Sequence, residues 1–182
     1  MLLQAAAVHP PFVLVGHSIG GLYAQHFAAT YAAEVAGLVL VESSHVDQGN
    51  DPSLPVLLLA MKALTPIGLS RLLFRYGDSA MNAMYSSNKT IATPIRELAV
   101  VAKSTDEVRQ ARLWLGNKPL IVLTAARNDG DDSFHRMQLD LLTRSSNSKR
   151  IVVELSGHRV QNDRPDVVIA AIRDVVEQTR HP

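Results

Sequence analysis

"FVLVGHSIGGLYAQHFA", residues 12–28, sets a serine between glycines at the end of an apolar run and just ahead of a helical pattern. Phe12 to Val15 is too short for a helix and lacks polar alternation, so it reads as a strand covered on both faces. Gly21 to Tyr31 reads as the helix that follows. Gly16-His17-Ser18-Ile19-Gly20 thus fits Gly-x-Ser-x-Gly between a strand and a helix, the setting that gives the pattern a mechanical meaning. The turn strains the backbone at Ser18 and lifts its hydroxyl above the strand end. Side chains at Gly16 and Gly20 are expected to collide with neighbouring backbone. The N–H of Ile19, at the helix start, is expected to point at an oxyanion formed beside Ser18. His17 is expected to be structural, with a side chain that diverges from that of Ser18.

Three similar runs lie further along: Leu38 to Val41, Leu120 to Leu123 and Ile151 to Leu155. Helical patterns alternate with them, at Phe134 to Thr143 and Pro165 to Thr179, which makes this an α/β chain with a parallel sheet of about four strands and flanking helices. Pro165 suits a first helical position, and Val168, Ala171, Ile172, Val175 and Val176 form one stripe expected to lie on the sheet. Between the second and third strands, about 44–117 has no strand-like run and is too long for a loop. Thr65-Pro66 and Thr93-Pro94 suit helix starts, Asp106 and Glu107 a first turn, and Gly77 and Gly116 helix ends. This insert reads as a helical cap on a single domain spanning 1–182.

The totals narrow the function classes. Of 182 residues, 47% are hydrophobic and 19% charged, and the formal net charge is +1, so neither disorder nor a polyanion-binding surface is indicated and nucleic acid is not an expected partner. There is no cysteine, which removes disulfides, zinc ribbons and thiol nucleophiles and fits a reducing compartment, with the cytoplasm the expected location. "MLLQAAAVHPPF" carries no basic residue ahead of its apolar part and does not resemble a secretory signal. The most apolar window, "LPVLLLAM" at 54–61, is cut off by Lys62, far short of the roughly 18 residues a membrane span needs. No His-Glu-x-x-His pair occurs, and neither metal nor cofactor is expected.

A serine hydroxyl needs a base within hydrogen-bond reach, itself oriented by a carboxylate. In "ELSGHRVQNDRPDVVIAAI", His158 follows a small-residue turn after the last strand and precedes the final helix. Of the seven histidines it alone has that strand-end placement, where sites in open α/β sheets gather. Two carboxylates also fall at strand ends, Glu42 in "LVLVESSH" and Asp129 in "VLTAARNDGDD", and both preserve the order Ser, acid, His. Position alone leaves Glu42 and Asp129 as alternatives.

With "FVLVGHSIGGLYAQHFAATYAAEVAGLVLVE", "PLIVLTAARND" and "SGHRVQNDRPDVVIAAIRDVV" in view, the sequence resembles the α/β-hydrolase superfamily, in particular its cap-bearing, lipase- and esterase-like members. The resemblance implies that Ser18 is the nucleophile and His158 the base. The acid follows the next-to-last strand in most members, pointing to Asp129, and ends the strand after the nucleophile in a minority, pointing to Glu42. The unbroken "GLVLVES" favours Glu42, because "NDGDD" departs from the family's approach to the acid. The implied activity is cleavage of a carboxylic ester or related acyl substrate. Leu57 to Leu59, Met61, Leu72, Leu73 and Phe74 suggest that this substrate is small and hydrophobic.

Members also place about four strands and a His-Gly loop ahead of the nucleophile strand, and only eleven residues precede Phe12 here. The expectation is therefore an N-terminally truncated, C-terminal part of the fold in which Phe12 to Val15 is an unpaired edge. Loss of one oxyanion donor costs on the order of 100 to 1,000-fold in rate. The second expectation is a catalytically impaired interaction module that self-associates through that edge.

Overall fold

Short apolar runs without alternation are stable as strands only where helices cover both faces. In the computed structural model, which describes residues 2–48, 105–128, 130 and 132–180, such runs build one parallel sheet. Its spatial order is β1 (Phe12–His17), β2 (Val35–Val41), β3 (Leu120–Ala125) and β4 (Ser148–Val153). Leu14 lies opposite Leu38, Leu40 opposite Val122, and Leu123 opposite Ile151. The helices are α1 (Leu2–Ala5), α2 (Ile19–Thr30), α3 (residues 105–111), α4 (Asp132–Leu142), α5 (Val160–Asp163) and α6 (Pro165–Arg180). This is the α/β class expected from the sequence.

The two-residue period of the strands splits the core in two. Val39, Val41, Ile121, Leu123 and Ala125 face one way and pack under Val168, Ala171 and Val175 of α6. Leu38, Leu40, Leu120 and Val122 face the other way, against Ala28 of α2 and Leu141 of α4. Of the stripe read on the last helix, Val168, Ala171 and Val175 therefore lie on the sheet, with Ile172 partly buried against the same core and Val167, rather than Val176, beside it. Each fully buried Leu or Val adds about 1.5–3 kcal/mol relative to exposure, which is why the two central strands fix the position of everything attached to their ends.

The outer strands differ from the expectation of double coverage. β1 pairs with β2 alone among the described residues, as expected of an edge, and Val15 is 46% exposed. At the other edge β4 begins at Ser148 and ends at Val153, so it takes in Lys149 and Arg150 and leaves out Leu155, which is 85% exposed with φ 58°. An edge strand covered on one face tolerates polar side chains that a central strand would exclude.

The chain divides into two units, 1–48 with 105–182 and 49–104. The helical cap expected over about 44–117, with Leu57 to Leu59, Met61, Thr65, Pro66, Leu72 to Phe74, Gly77, Thr93 and Pro94, falls mainly on 49–104 and so outside the described residues. Two of its signals can be followed. Asp106 sits in α3 and pairs with Arg109 at 2.7 Å, but α3 stops at 111 and not at Gly116. Arg112 takes the left-handed conformation at the helix end, φ 45°, and Gly116, φ 65°, serves the next turn, where Ser146 Oγ donates to its carbonyl. No described helix is long and apolar enough to cross a membrane.

Candidate active site

The carboxyl ends of the parallel strands converge on one region. Ser18 follows β1, Glu42 follows β2, Ala125 ends β3, and His158 lies beyond β4. The ladder between the strands continues past their ends. Ser18 N–H donates to Val41 O at 3.1 Å, Glu42 N–H donates to Leu123 O at 2.8 Å, and Ser44 N–H returns to Ser18 O at 3.0 Å. Ser18 and Glu42 are thereby held by backbone, not by flexible side chains.

Both residues pass through the left-handed region, Ser18 at φ 53° and Glu42 at φ 45°. That conformation is uncommon for a side-chain-bearing residue and costs of order 1–3 kcal/mol unless the surroundings enforce it. Ser18 stands at the N-cap of α2, a place where serine ordinarily bonds to the helix N–H groups. It makes no such bond. Its Oγ lies instead 3.1 Å from His158 Nε2. The N–H of Ile19 opens α2, a position with no preceding helical turn to supply an i−4 acceptor.

The other ring nitrogen of His158, Nδ1, lies 3.4 Å from Glu42 Oε2. Glu42 is buried while the His158 side chain is 54% exposed. The carboxylate is held from behind: Ala125 N–H donates to Oε1 at 2.6 Å, and Asn128 Nδ2 donates to Oε2. A carboxylate accepts through both oxygens and donates through neither, so Glu42 satisfies all three groups. A hydroxyl, an imidazole and a buried carboxylate in line can move a proton from Oγ to Nε2 while Nδ1–H stays bonded to the carboxylate. Of the two acid candidates, Glu42 is beside His158, and Asp129 lies outside the described residues.

The glycines require one correction. A Cβ at Gly16 would meet Gly20 O at 2.6 Å and Gly21 N at 2.8 Å, as expected. A Cβ at Gly20 meets nothing within 4 Å among the described residues. Gly21 is the second close approach, where a Cβ would lie 2.0 Å from Ser43 Oγ and 3.2 Å from Ser43 Cα. The reason is helical phase: Gly21, one residue later, faces the segment after β2, and Gly20 faces away from it.

His17 has a main-chain partner that the sequence does not suggest. Its side chain does not leave the region, because Nε2 donates to the backbone carbonyl of His158 at 2.8 Å and the two rings lie 4.8 Å apart. Sequence reading missed this and the Asn128 bond, since neither a histidine before the serine nor an asparagine after β3 carries a spacing signal. A cavity of about 380 Å³ bounded by Gln25, His45, Arg109, Asp140 and Arg144 contains none of these groups. Its charges are largely paired internally, His45 Nε2 and Arg144 Nη2 both reaching Asp140 Oδ2, at 2.9 and 2.8 Å.

The sequence profile of the Alpha/beta hydrolase family matches residues 2–171. The uncharacterised protein YqjL of Bacillus subtilis is 24% identical over 178 residues, covering 96% of this chain and 60% of that protein. The chain thus spans about three fifths of the length of this curated relative. Among crystal structures, an alpha/beta hydrolase fold protein from Burkholderia ambifaria superposes with a TM-score of 0.70 at 18% identity, covering 95% of this chain and 68% of that one. A thermophilic esterase from Thermogutta terrifontis gives 0.63 at 18% identity, covering 98% of this chain and 69% of that one. These likenesses are of fold.

Proposed function

The chain belongs to the alpha/beta hydrolase family, and we propose that it is a serine hydrolase that cleaves a carboxylic ester or related acyl substrate through an acyl-enzyme. The observation that carries this reading is the placement of Ser18 Oγ 3.1 Å from His158 Nε2, with Glu42 3.4 Å from Nδ1. Ser18 Oγ attacks the acyl carbon as its proton passes to His158 Nε2, and the carbonyl oxygen becomes an oxyanion beside the N–H of Ile19. When the bond to the leaving alcohol breaks, His158 returns the proton to it. Water then attacks the acyl-serine by the same route and releases the acid. Glu42 holds His158 with Nδ1 protonated and offsets the imidazolium charge. The substrate is proposed to be small and hydrophobic on the sequence of the insert alone, and the cytoplasm remains the proposed location.

The test is covalent labelling with a fluorophosphonate. Labelling that disappears in Ser18→Ala supports the reading. No labelling of the folded protein, or labelling that survives Ser18→Ala, overturns it.

One observation favours a second reading, an interaction module. Among the described residues β1 is a sheet edge with Val15 half exposed, and an edge strand can pair antiparallel with its own copy about a two-fold axis. Light scattering after size exclusion separates the two: a folded, inactive dimer supports the module, and an active monomer opposes it.

A further inference from the structure

We infer that His17 is a positioning residue that sets the distance between Ser18 and His158 by holding the main chain of His158. The inference rests on the serine-hydrolase reading for its kinetic consequence, but its geometry stands apart from that reading. The segment that carries His158 is fixed on either side of it, where Ser156 and Val160 are fully buried. Ser156 Oγ donates to Val153 O at 2.7 Å and Gly157 N–H donates to Asp163 Oδ2 at 2.9 Å. Both bonds stay within the segment's own surroundings, between β4 and α5. The bond from His17 Nε2 to His158 O, at 2.8 Å, crosses 141 residues and ends on the residue beside Ser18.

Ser18 and His17 therefore grip His158 from two sides, at the ring and at the carbonyl. Because they are consecutive, and Ser18 is locked by its bonds to Val41 and Ser44, any drift of the His158 loop away from the serine must stretch the His17 bond. The ring of His158 is 54% exposed among the described residues, and the ring beside it, 4.8 Å away, is that of His17 itself. A displacement of about 1 Å between reacting groups can cost on the order of 100-fold in rate.

The experiment compares His17→Gln, whose amide nitrogen reaches about as far as Nε2, with His17→Asn, which is a bond length shorter, and with His17→Phe, which keeps a ring without a donor. Each is assayed on p-nitrophenyl acetate, and the imidazole resonances of His158 are followed by long-range 1H–15N NMR. The expected result is a kcat about 10-fold or more lower in His17→Asn and His17→Phe, with KM changed less than about twofold, and recovery toward wild type in His17→Gln. The His158 ring signals should shift or broaden in the two impaired variants and return in His17→Gln. Unchanged kcat and unchanged His158 signals in His17→Asn overturn the inference, even if its melting temperature falls. If wild type neither turns over ester nor labels with fluorophosphonate, the hydrolase reading fails by itself. The NMR comparison then decides the role of His17, unchanged His158 signals overturning it and shifted signals supporting it.

Discussion

Glu42 and His158, 116 residues apart in the chain, meet at 3.4 Å between Oε2 and Nδ1. The carboxylate is also anchored by two further donors, Ala125 N–H and Asn128 Nδ2, both at or just past the end of the neighbouring strand β3. Glu42→Gln puts an amide where three donors converge, so at least one donor faces another donor. Its kcat on an ester is expected to fall by about 10⁴-fold, the scale found when a triad carboxylate becomes an amide. Glu42→Ala also leaves buried donors without acceptors and is expected to lose about 1–3 kcal/mol of stability in urea titration. An unchanged kcat in Glu42→Gln would remove Glu42 from the acid's role.

Ser18 carries its φ of 53° with a β-carbon attached. Ser18→Gly relieves that strain and is expected to raise stability by about 1–2 kcal/mol while removing fluorophosphonate labelling. Ser18→Ala should lose labelling without the full gain in stability, because it keeps the β-carbon. Equal midpoints for Ser18→Gly and wild type in urea would mean that the turn stores no strain.

The three glycines around the serine are not equivalent. Gly16→Ala forces its methyl against Gly20 O and the Gly21 backbone, and Gly21→Ala forces its methyl into Ser43. Both are expected to lose about 1–3 kcal/mol by overpacking. Gly20→Ala meets open space among the described residues and lies inside α2, so it should gain up to about 1 kcal/mol from helix propensity. Urea midpoints for the three variants, compared in one series, check the order.

Strands β1 to β3 and the strand-end positions of Ser18, Glu42 and His158 were legible because each follows from local pattern: apolar runs mark the sheet, and polar residues just past them mark candidate positions. What could not be read depends on three-dimensional phase. Whether Gly20 or Gly21 approaches Ser43, whether His17 turns toward His158, and whether Asn128 reaches Glu42 are all set by the angles between elements far apart in sequence. The bounds of β4, Ser148–Val153, differ from the apolar run for a related cause. Lys149 and Arg150 look unlike a buried strand, and only the edge position makes them compatible with one. The choice between Glu42 and Asp129 is open in the sequence for the same reason, since both follow apolar runs; only a distance in space, such as the 3.4 Å from Glu42 to His158, identifies a partner.

Asp166, in the first turn of α6, receives Arg164 Nε at 3.0 Å on Oδ1 and Arg164 Nη2 at 2.8 Å on Oδ2. That hydrogen bonding holds its carboxyl below the ordinary value of 3.8, and the Arg164 guanidinium is raised in return. A carboxyl lowered on folding stabilises the folded state above its ordinary value and loses that contribution as pH falls through the lowered one. Both side chains are solvent-facing, so the effect is small and screened by salt. Asp166→Asn is therefore expected to melt slightly below wild type at pH 7, the gap narrowing in 1 M salt and closing once the pH is well under 3.8. The start of α6 also carries a favourable place for negative charge, which acts with the same sign and the same pH dependence. Melting curves at neutral and acid pH check this. A gap of equal size at both would assign Asp166 a role in shape, not charge, at the helix that covers the Val39 and Val41 face of the sheet.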